Sequence, residues 1–181
     1  MSKVENQIIY RVFVILGSIT TVMLLAISCT AWYGYIFITD NVRTELSAQR
    51  IYFPAKGSTS FSPTEFPDIQ QYAGQLVDDG IKAQAYANGF IGRHLNKIAD
   101  GKTYSEVSIE AMADPTNQTL QQQKQSLFQG TMLRGMLLGN GYAYWTMGIV
   151  AKYVAVITFV GACVVIALVC LGLNKIRLLG L

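Results

Sequence analysis

The sequence predicts an all-α membrane protein, with two transmembrane helices and a mostly helical extracytoplasmic domain between them. Two uncharged apolar blocks, one near each end of the 181 residues, predict the helices. The stretch between them carries most of the charge and predicts the domain. Apolar residues make up 51% of the chain and charged residues only 14%, well below the roughly 25% of an ordinary soluble domain.

Residues 1–11 read as a short cytoplasmic N-terminus. From Val12 to Ile38 no charge occurs. At about 1.5 Å of rise per residue, this block exceeds the roughly 20 residues that cross about 30 Å of hydrocarbon. Residues 12–38 are therefore the first predicted transmembrane helix. A second apolar block, Tyr153 to Leu173, lies between Lys152 and the pair Lys175 and Arg177. With an interfacial start it occupies 142–173 as the second helix, and 174–181 form a cytoplasmic C-terminus.

Orientation follows from the flanks. Lys3, Arg11, Lys175 and Arg177 sit in segments short enough to obey the positive-inside bias, which places both termini in the cytoplasm and residues 39–141 outside the plasma membrane. Trp32, Tyr33 and Tyr35 cluster at the exit of the first helix, and Tyr142, Tyr144, Trp145 and Tyr153 at the entry of the second, as an aromatic belt requires. The expected interfacial anchors are Trp32, Tyr33, Tyr35, Trp145 and Lys152, whose stem reaches the headgroups. A competing reading makes residues 1–28 a cleaved signal and Cys29 a lipid-modified terminus. The run from Trp32 to Phe37 argues against it, because it prolongs the apolar span instead of opening a polar tether.

In the intervening domain, Val42, Leu46 and Ala48 among charged neighbours predict that the first helix continues for a few turns. Ile51, Tyr52 and Phe53 read as a short extended piece stopped by Pro54. From Pro54 to Pro67 the turn residues predict a surface loop. Pro67 suits the first position of a helix, and apolar residues from Ile69 to Ile98 recur three or four apart, with an interruption at Asp79-Gly80. Asp100-Gly101 marks the stop. Thr103 and Glu106 then match a capping box that starts a new short helix, ended by Pro115. From Thr116 a further helical series, including Leu120, Leu127, Phe128, Met132 and Met136, leads to Gly139-Asn140-Gly141, where a kink or break is expected. This arm is expected to lie near the outer surface and then to bend into the bilayer.

Several function classes are excluded by composition. Residues 39–152 hold ten basic and ten acidic side chains, so the domain lacks the basic face that nucleic acid demands. Cys29, Cys163 and Cys170 all lie in the predicted spans, which leaves the outer domain without a disulfide framework. His94 is the single histidine, and one His without partners at ligand spacing makes neither a zinc site nor an iron triad. No nucleophile elbow, phosphate loop or haem-attachment motif occurs. Neither span holds an ionisable group of the kind a transport pathway needs. The expectation is a protein that is not an enzyme, with no cofactor or metal of its own, no catalytic residue and no small-molecule substrate, though with room for a bound lipid.

Small residues supply the candidate helix-packing interface. Ala151, Ala155, Thr158 and Ala162 recur along the second helix, and Gly17, Thr21, Ser28 and Ala31 partly line one side of the first. Such stripes let helices approach closely in lipid. They serve either to pair the two spans or to bind other membrane subunits.

The run Ala85-Tyr86-Ala87, Ile91, His94-Leu95, Gly101-Lys102-Thr103-Tyr104 and Glu106, with Asp114-Pro115 and a second span, resembles a family of small two-span membrane proteins of actinobacteria. Leu46, Ile51 and Pro54 are similar too, so the resemblance covers most of the chain, and the Gly-Lys-Thr-Tyr element is its most specific part. The arm from Gln121 to Gly148 departs from it by being longer and richer in Gln. Members are often labelled aromatic ring-opening dioxygenases, an activity at odds with the missing iron ligands. Size and topology also resemble an accessory subunit of the actinobacterial cytochrome bcc–aa3 respiratory supercomplex. The resemblance implies a non-catalytic structural or assembly subunit, with membrane lipid and larger cytochrome bc or oxidase subunits as partners. The alternative is a free-standing envelope protein whose outer domain binds a lipid or cell-wall component through Phe53, Phe61, Phe66 and Phe90.

Overall fold

The structure, a computed structural model, describes residues 3–178, with the backbone alone for residues 3–6. Positions 1, 2 and 179–181 of the two predicted cytoplasmic tails lie outside the described residues. Among those described the chain is helical and contains no strand, only an isolated bridge between Tyr52 and Leu76. It divides into two compact units: one joins the residues up to Phe37 with those from Gly148 onward, and the other is Ile38–Met147. The predicted domain of 39–141 is thus extended by several residues, because Tyr142 to Met147 fold with it.

The first unit is a helical hairpin. Helix α1 covers Lys3–Ala48 and α6 covers Tyr144–Leu178, each continuing past the unit boundary. Both are long and apolar enough to cross a bilayer, and only 6% and 11% of their most apolar windows are buried. A core helix of a soluble protein hides most of that surface, whereas here it points outward. The hydroxyls along these helices are satisfied locally. Ser18, Thr20, Thr21 and Thr30 donate to carbonyls one turn back at 2.8–2.9 Å, and Thr158 does so to Val154 at 2.8 Å. Such back-bonding removes the free donors that hydrocarbon would penalise.

In the second unit α1 ends as the sequence suggests. Val42 and Leu46 are buried while Ala48 is exposed, so the apolar face is carried by the first two alone. Arg50, with φ at 52°, turns the chain out of the helix. The extended piece that follows is pinned by Phe53 N–H donating to Gln75 at 2.9 Å and Val77 N–H donating to Ile51 at 2.8 Å.

Residues 54–79 differ most from expectation. The predicted surface loop contains Phe61 and Phe66, each 0% exposed, and joins Phe53 in the core. Pro67 starts no α-helix: short 3-10 turns at Thr59–Phe61 and Gln70–Tyr72 are all the helix this stretch holds. The rings outweigh local propensity, since each buried aromatic removes a large apolar area from water. The regular helix begins later, at α2 (Gly80–Gln84), where the Asp79 carboxylate accepts from Lys82 N–H at 2.8 Å. What reads in sequence as an interruption is an N-cap.

A π-helical segment, Ala85–Ile91, links α2 to α3 (Gly92–Ile98). Asp100 and Gly101, at φ 51° and 82°, then stop the helix as predicted. Helix α4 (Tyr104–Ala113) carries the full capping box: Thr103 N–H donates to Glu106 at 2.7 Å and Glu106 N–H returns to Thr103 Oγ1 at 3.4 Å. The Thr103 N–H and then the Thr103 hydroxyl, both donating to the Glu106 carboxylate, hold it below its usual pKa range. Helix α5 (Gln118–Met136) starts at the Asn117 cap. Gly139-Asn140-Gly141 neither breaks nor ends it, because a π-helical segment at Leu137–Ala143 carries the helix into α6. The wide turn seats Gly141 against Ala83 and Leu46; a Cβ at Gly141 would lie 2.9 Å from the Ala83 methyl.

Candidate functional site

The predicted packing residues meet within the hairpin unit. Ala155 and Ala162 are buried, and Ala151, Thr158, Gly17 and Thr21 are half-buried on the inward faces. Gly17 lies against Val169, so close that a Cβ there would be 2.5 Å from Val169 Cγ2. Farther along, Ser28 Oγ donates to the Ala155 carbonyl at 2.9 Å. Of the two uses foreseen for the stripe, pairing the two long helices is the one these contacts employ.

The expected anchors separate into two groups. Trp32 and Tyr33 are exposed, and Tyr35 stands 5.5 Å from the Trp32 ring with Lys152 Nζ 5.3 Å from its own centroid. Trp145 forms the second group. It belongs to the Ile38–Met147 unit, where it packs on the hydrophobic core against Gly80.

The phenylalanines that would line a groove in the envelope-protein reading form a core instead. Phe61 stacks on Phe66 at 5.3 Å and meets Phe90 at 5.8 Å, and Phe53 meets Tyr86 at 5.1 Å. Burial raises the Tyr86 phenol above its ordinary range. His94 lies between Phe90 and Phe66, with centroids 4.7 and 5.9 Å away, and its Nδ1 is buried without a hydrogen-bond partner. No group of three His, Cys, Asp or Glu side chains converges among the described residues. The one histidine therefore acts as a flat wall of the aromatic cluster.

Charge clamps hold this cluster to α3. Arg93 grips Asp68 in two bonds of 2.7 and 3.0 Å and donates to the Glu65 carbonyl at 3.0 Å. The guanidinium holds the Asp68 carboxyl below its usual range, and the carboxylate raises Arg93 in turn. Lys97 pairs with Glu65 beside them. Paired charges of this kind order the loop and leave little net field.

An outward stripe on α5 was missed by sequence reasoning. Leu127 and Leu137 are buried, whereas Phe128, Met132 and Met136 stand 46%, 53% and 51% exposed at spacings of four. Tyr104 from α4 continues the patch, its ring 5.6 Å from that of Phe128. The sequence reads Leu127, Phe128, Met132 and Met136 as one helical series. In fact two faces run in parallel, and the spacing of four from Phe128 is the signal that would have separated them. Flexible thioethers beside aromatic rings make a soft, adaptable contact surface with no acid–base or nucleophilic chemistry.

The chain matches no protein-family model, no curated protein and no solved structure.

Proposed function

We propose that this chain is a two-span plasma-membrane protein, with both termini cytoplasmic and its central domain outside, that serves as a non-catalytic accessory subunit of a larger membrane complex. The observation that carries the proposal is the exposed stripe Phe128, Met132 and Met136 with Tyr104. Grouped aromatic and methionine side chains are what the centre of a protein–protein contact favours. The hairpin supports the membrane half of the reading, because its long helices turn apolar surface outward and keep their small residues for each other. The sequence resemblance points to the actinobacterial cytochrome bcc–aa3 supercomplex as the partner, with this chain structural or assembling in role.

The envelope-protein alternative loses the groove it relied on, since Phe53, Phe61 and Phe66 are interior. Mild solubilisation of membranes followed by capture through a C-terminal tag tests the proposal. Cytochrome and oxidase subunits are expected in stoichiometric amounts. Recovery of this chain alone, or with only a lipid or wall component, would reject it.

A further inference from the structure

Along the hairpin, between α1 and α6, runs an open groove of about 460 Å³, within the range of small-ligand sites. Its floor is Ser28 and Ala155, whose mutual hydrogen bond leaves no free hydroxyl there. Its walls are apolar and include Trp32, Tyr33, Val156 and Phe159. From Ser28 to Ile36 the α1 side extends about 12 Å at helical rise, enough to follow a stretch of extended hydrocarbon chain. A slot of this kind in a bilayer is filled by hydrocarbon, because water finds no partners in it and a void forfeits dispersion contacts.

The groove has a charge at its end. Lys152 is the single charged side chain in residues 12–37 and 148–174. It sits one turn before the groove residues Ala155 and Val156, over the ring of Tyr35, which itself packs on Trp32. Among the described residues no carboxylate forms an ion pair with it, so an anion supplied from outside completes the site.

We infer that the groove binds one anionic phospholipid, with an acyl chain against Trp32, Tyr33 and Phe159 and the phosphate on the Lys152 ammonium. The inference rests on the membrane-spanning part of the reading above and not on the identity of any protein partner.

The test uses the full chain purified in mild detergent with defined lipid. Flotation with vesicles first separates the two ideas: a chain that fails to float overturns the spanning hairpin and the lipid site together. For a chain that floats, native mass spectrometry compares retained phosphatidylglycerol and phosphatidylcholine. One phosphatidylglycerol is expected, preferred about fivefold, since one Lys near an anionic headgroup contributes roughly 1 kcal/mol. Lys152→Gln should remove the preference and leave the fold, read by circular dichroism, unchanged. Val156→Trp, which fills the slot, should reduce retention of both lipids. Equal retention of the two lipids, or a preference that survives Lys152→Gln, overturns the site.

Discussion

Ser28 Oγ donates to the carbonyl oxygen of Ala155 at 2.9 Å, bridging 127 positions of sequence. It fastens the two long helices at a pair of buried small residues. Ser28→Ala should cost about 0.6 kcal/mol, the average of hydrogen bonds between membrane helices. Gly17→Val should cost more, about 1–3 kcal/mol. The new Cβ would press on Val169 at 2.5 Å, and a β-branched helical side chain has essentially one rotamer to offer. Unfolding of the reconstituted chain by graded denaturing detergent ranks the two variants. The reverse order would show that the seam is loosely packed.

Two further glycines should respond oppositely to the same change. A Cβ on Gly80 would lie 2.3 Å from the Trp145 Cβ, whereas one on Gly135 would meet nothing within 4 Å. Gly80→Ala should therefore destabilise the domain by about 1–3 kcal/mol through overpacking. Gly135→Ala, inside α5, should stabilise it by up to about 1 kcal/mol through helix propensity. Thermal unfolding followed at 222 nm, with detergent held constant, distinguishes the two.

Acid should loosen the clamp on the aromatic cluster. The Arg93 guanidinium lowers the Asp68 pKa in the folded state. Its stability contribution is therefore complete above the ordinary carboxylate range of about 4 and is lost as pH falls through the lower folded value. The pair is well exposed, so the loss is small, about 0.2–1 kcal/mol. Stability curves at pH 6 and pH 3 should converge partly between wild type and Asp68→Asn. Equal separation at both pH values would assign the clamp no role.

If the α5 stripe holds a partner, Met132→Lys should leave the thermal midpoint within about 2 °C, because the side chain faces out. Co-purification of oxidase and cytochrome subunits should nevertheless fall more than about thirtyfold, the loss of a contact centre worth 2 kcal/mol or more. Unchanged co-purification would move the contact elsewhere.

The proposed topology makes a separate claim. A cysteine at the exposed position Gln125 or Asn88, introduced without Cys29, Cys163 and Cys170, should react in intact cells with a membrane-impermeant maleimide. One placed at Lys175 should react only after permeabilisation. Labelling in the opposite sense would invert the protein.

Hydropathy, caps and stops operate within a few residues, and these features were legible without coordinates. The two long apolar helices, the Thr103–Glu106 capping box, the Asp100-Gly101 stop and the small-residue stripe all belong to this class. Tertiary structure alone decided residues 54–79. Phe61 and Phe66 meet Phe90, and Asp68 meets Arg93, across separations of roughly 25 positions. No local pattern announces that a loop rich in Ser, Thr and Pro has its aromatic rings as the centre of a core. The same holds for which face of α5 is covered and for Trp145, seated in a gap that Gly80 leaves open. Local sequence sets where helices start and stop, and long-range burial of apolar area chooses which side chains remain available to anything else.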